Sequence, residues 1–342
     1  MKRIASMRVA TIVVLGLLPV LISSGCRSTP AAAVPALVWP APPALARIAY
    51  VGELKEPRDA GVRVSVWNRV VNGLTGSRRG REALVQPFGV AVDEQGNLCL
   101  TDAGTGVVQF IDQKRRRAFR WDAIAGRPFS APVAVAKRGE TLYVADSAAA
   151  RVVAFDLEGE PVFDLTENLH RPSGLALGID GLWVADAGQH AILQFDLAGK
   201  FLKRIGRRGV GPGEFNFPTH LCTDAYGRLY VVDSMNARVQ IFDPEGEYLR
   251  SFGSKGQGVG QFSQPKGIAV DAEGHIFVVD ALFDNVQIFD ASGRLLLYFG
   301  EAGSEPGAFW LPTGIALGRD RRIHVADGYN RRIQTFELLA TP

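Results

Sequence analysis

The stretch FPTHLCTDAYGRLYVVDSMNARVQIFD, Phe217–Asp243, decides the fold. An apolar run follows its proline, a glycine-containing turn comes next, and a second apolar run ends in Asp233. After a short polar segment, a third run, RVQIF, completes the stretch. Short runs rich in β-branched and aromatic residues, separated by turn residues, predict antiparallel β-strands. The stretch therefore predicts three strands joined by tight turns.

Five other segments of the chain align with this stretch almost without gaps. Each has a leading proline and an apolar residue three positions before it. The prolines are Pro87, Pro132, Pro172, Pro218, Pro265 and Pro312. They recur about every 40 to 47 residues, which is the length of one four-stranded propeller blade. Residues 84–337 are therefore predicted to form six repeats.

A fourth strand follows in each of the first five repeats, as in YLRSFG, Tyr248–Gly253. The sixth repeat stops after its third strand, and the similar segment RIAYVG, Arg47–Gly52, lies at the other end of the chain. Such a strand would complete the last blade and remove the open sheet edges. The predicted fold is all-β: a six-bladed β-propeller over 47–342, with four-stranded blades, closed by the N-terminal strand 47–52.

An aspartate ends the second strand of every repeat. Besides Asp233, the matching residues are Asp102, Asp146, Asp186, Asp280 and Asp327. A carboxylate repeated around a ring is expected to accept hydrogen bonds from the backbone amides of the following turn, as Asp does in many turns. We therefore interpret it as part of the scaffold and not as a catalytic acid or base.

These repeats resemble the NHL family, whose signature is P-x-G-I-A-V-D, G-x-I-Y-V-A-D and N-x-R-I-Q-V-F in succession. The similarity is greatest in repeats four to six, for example QPKGIAVDAEGHIFVVDALFDNVQIFD, Gln264–Asp290. The resemblance implies a propeller but no single function, since NHL propellers include RNA-binding and protein-binding modules, sensor domains of bacterial kinases and a metal-dependent amidating lyase. Function must be sought where one repeat departs from the others.

The first 25 residues are typical of an export signal. A basic start is followed by the apolar segment Val9–Ile22, which is too short to span a membrane as a helix. The run LISSGC, which ends at Cys26, resembles the bacterial lipoprotein cleavage box, and the resemblance implies that Cys26 becomes the lipid-bearing N-terminus. The alternatives are a secreted protein cut at another small residue and an uncleaved anchor.

Residues 26–46 are rich in proline and alanine, and we expect them to form a semi-rigid stalk near the membrane. Three of the chain's 38 Lys and Arg residues lie in the predicted signal, and without them the chain balances its 35 acidic residues. A neutral exported chain has no overall electrostatic attraction for nucleic acid. Nucleic-acid binding therefore ranks third, after partner binding and catalysis.

The segment 53–83 is the only large insertion in the repeat pattern. Around Trp67, apolar residues have helical spacing, and Ser65 is a plausible N-cap. We expect a short amphipathic helix that packs on the propeller or contacts a partner, so Trp67 is a candidate partner-binding residue.

The position two residues after the repeat proline points to a site. It holds small residues in five repeats and His220 in the fourth. His170 and Trp310, each two residues before a repeat proline, should lie near the same channel mouth. A metal centre needs about three converging ligands, and only His170 and His220 qualify by position. The residues alone therefore indicate ligand or partner binding by His170, His220 and Trp310, with no catalytic residue and no cofactor.

The sequence as a whole predicts a lipid-anchored propeller of the bacterial cell envelope, on the outer membrane or facing the periplasm. It would act as a non-catalytic scaffold that binds an envelope protein, a complex or a ligand through its loops. The alternative is a metal-dependent lyase or lactonase-like hydrolase with its site at the channel mouth near His220.

Overall fold

A computed structural model describes residues 37–62 and 83–340. The predicted signal, Cys26 and Trp67 with its predicted helix lie outside these ranges. The described residues form β-strands and two 3-10 helices, Pro57–Ala60 and Ser234–Asn236, and contain no α-helix. Within them, no helix is long and apolar enough to cross a membrane.

The strands of the first three blades follow the repeats. Blade one contains β3 Pro87–Val92, β4 Leu98–Asp102, β5 Val107–Asp112 and β6 Arg117–Trp121, and a small hairpin, β7 Ala123–Ile124 and β8 Arg127–Pro128, follows it. Blade two contains β9 Pro132–Arg138, β10 Thr141–Asp146, β11 Arg151–Phe155 and β12 Pro161–Leu165. Blade three contains β13 Pro172–Leu177, β14 Leu182–Asp186, β15 Ala191–Phe195 and β16 Phe201–Ile205.

Blades four to six repeat this order. Blade four contains β17 Pro218–Thr223, β18 Leu229–Asp233, β19 Arg238–Phe242 and β20 Tyr248–Phe252. Blade five contains β21 Pro265–Val270, β22 Ile276–Asp280, β23 Asn285–Phe289 and β24 Leu295–Phe299. Blade six contains β25 Ile315–Leu317, β26 Arg322–Asp327 and β27 Arg332–Leu338, to which the N-terminal strands β2 Ile48–Leu54 and β1 Val38–Trp39 are added.

Each blade is an antiparallel sheet whose strands, named A to D, are ordered outward from the axis. In blades one to five this is chain order, whereas blade six has β2 in the place of strand D. The A strands contact one another in turn around the axis, and those of blades six and one also meet, so the ring is closed. Strand B is buried, as in Leu229–Asp233, because neighbouring blades cover both of its faces; only Thr141 and Arg322, the first residues of β10 and β26, are not buried. Strand D is far more exposed: in Phe201–Ile205, three residues are exposed and two are half-buried. The predicted six-bladed propeller is confirmed.

The core is divided among the interfaces between blades. Six apolar clusters fill these interfaces, one between each pair of neighbours. The apolar residue three positions before each repeat proline enters one of them; in the last three repeats it is a fully buried phenylalanine: Phe215, Phe262 and Phe309. Each such side chain closes one end of an interface, which explains why this position is apolar in every repeat.

The N-terminal strand closes the ring, as predicted. β2 pairs antiparallel with β27, with Ile48 opposite Leu338 and Leu54 opposite Ile333. Glu53 also accepts a hydrogen bond from Arg332 at 2.7 Å. Blade six therefore takes its strand D from the start of the chain, and the ring is held there by noncovalent contacts alone.

One boundary needs correction. The sequence placed residues 26–46 in a stalk, but Val38 and Trp39 pair with β2 as a fifth strand of blade six. The Trp39 ring lies 5.8 Å from that of Phe299 and 5.7 Å from that of Phe336. Proline-rich composition predicts locally extended backbone. It does not predict that a large apolar ring such as that of Trp39 packs against a sheet formed by residues distant in sequence. Described residues from Leu37 onward therefore belong to the propeller.

Candidate functional site

The D–A loops and the B–C turns form one face of the propeller, here called the mouth face. A cavity of about 770 Å³ opens at its centre, a volume within the usual range for ligand pockets. The side chains that define its chemistry are Phe88, His170, Arg171, Phe217, His220, Met235 and Lys266. A second cavity of about 280 Å³ follows the axis below, lined by residues of all six A strands, among them His220.

His220 lies where the axial channel opens into the mouth cavity, since it lines both. The A strands crowd one another here: a Cβ on Gly174, the matching residue of blade three, would lie 2.4 Å from the carbonyl oxygen of Thr219. The His220 ring stacks on that of Phe88, in the blade diametrically opposite, with centroids 6.0 Å apart and planes inclined by 14°. The pair therefore spans the top of the channel.

The His220 imidazole has an unusual environment. The residue is half-buried, but both ring nitrogens are inaccessible to solvent. Neither makes a hydrogen bond of good geometry within the described residues, although the Lys266 backbone lies close enough to the ring to interact with it. Burial, followed by the charge of Lys266, lowers the pKa of His220 to about 3. The ring is therefore neutral at physiological pH.

His170 and Arg171 are held by the aspartate of their repeat. Asp186, fully buried, accepts hydrogen bonds from the backbone amides of His170 at 2.7 Å and Arg171 at 3.0 Å. Both side chains are exposed and line the cavity. Asp186 thus fixes the backbone from which the two side chains extend, which gives it an indirect role in the geometry of the site.

Lys266 is the second cation of the cavity. It follows Pro265 at a position that holds an uncharged residue in every other repeat. Burial, and then the charge of Arg171, lowers the pKa of Lys266. In the part of the chain that the structure describes, neither Lys266 nor Arg171 has a carboxylate partner, and the cavity lining contains no Asp or Glu. The mouth is therefore electropositive.

The predicted site residues are brought together only in part. His170 and His220 line the same cavity, but in residues 37–62 and 83–340 no third metal-ligating group joins them. The group of potential ligands found there is Asp271, Glu273 and His275, in the A–B turn of blade five on the opposite face. Trp310 lies on the mouth face but outside the cavity lining, with its ring 5.5 Å from that of Tyr329.

Exposed apolar side chains lie on the mouth face of blades four to six. They form an arc, here called the apolar arc, across blades four to six: Val210, Phe217, Met235, Val259, Leu282, Trp310 and Tyr329. Phe217 and Met235 also line the cavity, so the arc meets the mouth at these two residues, whereas Val259 lies in a groove toward the outer edge of blade five. Val210 and Val259 are the most exposed members of the arc, at 75% and 86%.

Sequence reasoning missed the apolar arc and the two cations, although the repeats carry a signal for both. Two residues after the strand-B aspartate, blades four to six have Met235, Leu282 and Tyr329, whereas blades one to three have small residues: Gly104, Ala148 and Gly188. A turn residue needs no large apolar side chain for its own geometry. The difference between the two halves of the ring therefore indicates use of that surface.

Comparisons with known proteins agree with this fold. The sequence profile of a family described as a 6-bladed beta-propeller matches residues 219–282, that is, strands β17 to β22. No curated protein sequence matches the chain. The chain is thus a six-bladed β-propeller with a basic mouth cavity.

Several solved structures are similar in fold. Virginiamycin B lyase from Staphylococcus aureus, in a catalytically inactive form with quinupristin, is 13% identical with a TM-score of 0.56, covering 74% of this chain and 95% of that one. A gluconolactonase from Xanthomonas campestris is 15% identical with a TM-score of 0.57, covering 75% and 87%. A propeller in a nidogen/laminin complex is 17% identical with a TM-score of 0.53, covering 71% and 86%. Such low identities establish a shared fold alone.

Proposed function

We propose that this protein is a non-catalytic binding module of the cell envelope that holds a protein partner on its mouth face. The apolar arc carries the proposal. Clusters of exposed apolar side chains on one face mark interaction surfaces on soluble domains. Among the described residues of the mouth face, most such side chains lie in blades four to six, although Val85 of blade one is also exposed. Aromatic residues such as Trp310 and Tyr329 are enriched among residues that dominate binding free energy.

The partner's chemistry follows from the surface. The apolar arc requires apolar side chains, and the electropositive mouth beside it favours a carboxylate close to them. A protein surface offers both groups at fixed spacing, and a rigid ring of loops engages it at several points. A neighbour in fold belongs to the nidogen/laminin complex, and this occurrence in a protein complex supports the choice of a protein partner.

A lyase or lactonase-like hydrolase is the second candidate. A neutral imidazole at the top of the channel favours it, and the neighbours in fold include a lyase and a gluconolactonase. General acid–base catalysis needs a titrating group near the operating pH, whereas the pKa of His220 is lowered to about 3. A metal-dependent enzyme would need about three converging ligands, and among the described residues no third ligand joins His170 and His220.

The apolar arc should decide partner capture. Replacing Met235, Leu282 and Tyr329 together by serine is expected to reduce capture of the partner at least about tenfold, because loss of central apolar contacts costs several kcal/mol of binding free energy. The measurement is affinity capture by the full chain from detergent-solubilised membranes, quantified by mass spectrometry.

The matched control replaces Val162, Leu249 and Leu296 by serine. These residues are about equally exposed, at 52%, 49% and 47%, but lie on strands D. This control should capture the same protein as the wild type, and both triple variants should keep the wild-type melting temperature within a few degrees. Equal capture by the two triple variants would contradict the proposal.

We also propose that Cys26 carries the lipid that tethers the propeller to the envelope membrane. Two or more acyl chains anchor a protein stably, so Cys26→Ala should move the protein from the membrane fraction to the soluble fraction and abolish labelling by an alkyne fatty acid. Cys222→Ala should retain both properties. Membrane association of the Cys26→Ala protein at the wild-type level would refute the anchor.

A further inference from the structure

We propose that Arg171 and Lys266 form an anion subsite in the mouth cavity, which takes the carboxylate of a ligand whose apolar body lies against Phe88 and Met235. This inference rests on the proposed function, since the cavity opens in the same face, but its test does not need the partner. All four residues line one cavity, and they come from four different blades, so the folded ring alone assembles the subsite.

The charge arrangement is unfavourable without an anion. Lys266 is half-buried, and in the described part of the chain it meets the positive charge of Arg171 but no carboxylate. A cation removed from water without a partner destabilises a fold. A bound carboxylate would accept hydrogen bonds from both groups, and such charge-assisted bonds are among the strong ones in proteins.

The rest of the cavity selects an organic anion over a simple one. Its volume, about 770 Å³, exceeds that of a carboxylate alone, and the side chains of Phe88, Phe217 and Met235 give its wall an apolar character. The neutral His220 ring closes the floor through its stack with Phe88. A carboxylate on an aromatic or aliphatic body satisfies both parts of the lining, whereas inorganic phosphate satisfies one.

Phenylacetate and its neutral counterpart phenylacetamide test the subsite on the full chain in detergent, by isothermal titration calorimetry. We expect phenylacetate to bind about tenfold or more tightly than phenylacetamide, because only the acid pairs with the two cations. Lys266→Met should remove about tenfold of that affinity, and the preference should decline with added salt. Lys255→Met, which removes an exposed lysine of the same face outside the cavity, should bind like the wild type.

The melting temperature of Lys266→Met gives a second, independent test of the subsite. Lys266→Met is expected to melt above the wild type when no anion is present, because it removes an ammonium group that has no carboxylate partner among the described residues and keeps the apolar stem. A lower melting temperature would show that the ammonium has a partner and would overturn the inference. Equal affinity for the acid and the amide, or unchanged acid binding by Lys266→Met, would also overturn it.

The source of the carboxylate is decided by competition. If saturating phenylacetate lowers capture of the protein partner, the partner itself fills the subsite with an acidic side chain or its C-terminus. If phenylacetate binds without affecting capture, the subsite serves a free organic acid. Both results support an anion subsite. Loss of capture in the triple serine variant with no selective binding of phenylacetate would uphold the docking surface and refute the subsite.

Discussion

Replacing Asp233 by alanine is expected to lower the free energy of unfolding by about 3–5 kcal/mol, the cost of removing one partner from a buried charge network. Asp233 is fully buried. It accepts hydrogen bonds from the backbone amide of Asn216 at 2.7 Å, from Asn236 at 2.8 Å and from Arg238 at 2.8 Å. Without the carboxylate, the Arg238 guanidinium loses its only ion pair among the described residues.

Asp243→Ala is the matched control in the same blade. Asp243 accepts a hydrogen bond from the Glu247 backbone amide at 2.8 Å in an exposed turn, so its loss should cost no more than about 1.5 kcal/mol. Urea unfolding followed by circular dichroism gives both values. An Asp233→Ala protein as stable as Asp243→Ala would show that the strand-B aspartates do not hold the blades, and would reopen a functional role for Asp233.

The aspartate network shows what a repeat pattern can and cannot predict. The sixfold recurrence of Asp233 correctly indicated a structural role. The predicted partners were amides of the following turn, as for Gly104 and Asp102 at 3.0 Å. In every blade, however, the carboxylate also binds amides of the preceding D–A loop, such as Asn216. Contacts between segments distant in sequence are invisible in the spacing of one repeat, because they depend on how successive blades are connected.

The residues of the candidate site could be predicted only where they differ from the residues at the same position in the other repeats. His220 stood out because five repeats have a small residue there, and the structure places it with His170 in one cavity. Lys266 gave a weaker signal, because the position after the repeat proline varies from Phe88 to Ser173. The role of Lys266 becomes apparent only in the folded ring, because blades three and five bring Lys266 close enough to Arg171 for the charge of Arg171 to lower the pKa of Lys266. Electrostatic coupling between blades cannot be read from a linear alignment.

The D–A loops explain how one scaffold can support both proposed functions. Asp186 fixes the backbone of His170 and Arg171, and Asp233 fixes that of Asn216, next to Phe217 of the apolar arc. The strand-B aspartate thus holds the loop backbone in the same way in each blade. The loop side chains do not take part in these hydrogen bonds and can differ from blade to blade. Arg171, Phe217 and Trp310 are such variable loop residues, whereas Lys266 lies at the start of strand A of blade five and Met235, Leu282 and Tyr329 lie in B–C turns of the same face.

The closure of the ring gives the second large expected effect: Phe336→Ala should lower the free energy of unfolding by about 3–5 kcal/mol. The Phe336 ring is fully buried and lies 5.6 Å from that of Tyr50 in β2, 5.7 Å from that of Trp39 in β1 and 4.8 Å from that of Phe299 in blade five. It joins both N-terminal strands to the last interface between blades. Urea unfolding measures the loss.

Phe289→Ala separates closure from core packing in general. Phe289 is as deeply buried in the interface between blades four and five, so the variant should lose a similar free energy. Every blade but the sixth is continuous in sequence, whereas Arg332 and its partner Glu53 lie 279 residues apart. Local opening should therefore occur at the closure, where no chain connection holds strand D. Phe336→Ala should accelerate amide hydrogen exchange in β2, and Phe289→Ala should leave it slow; equal exchange in both variants would mean that the ring opens only by global unfolding.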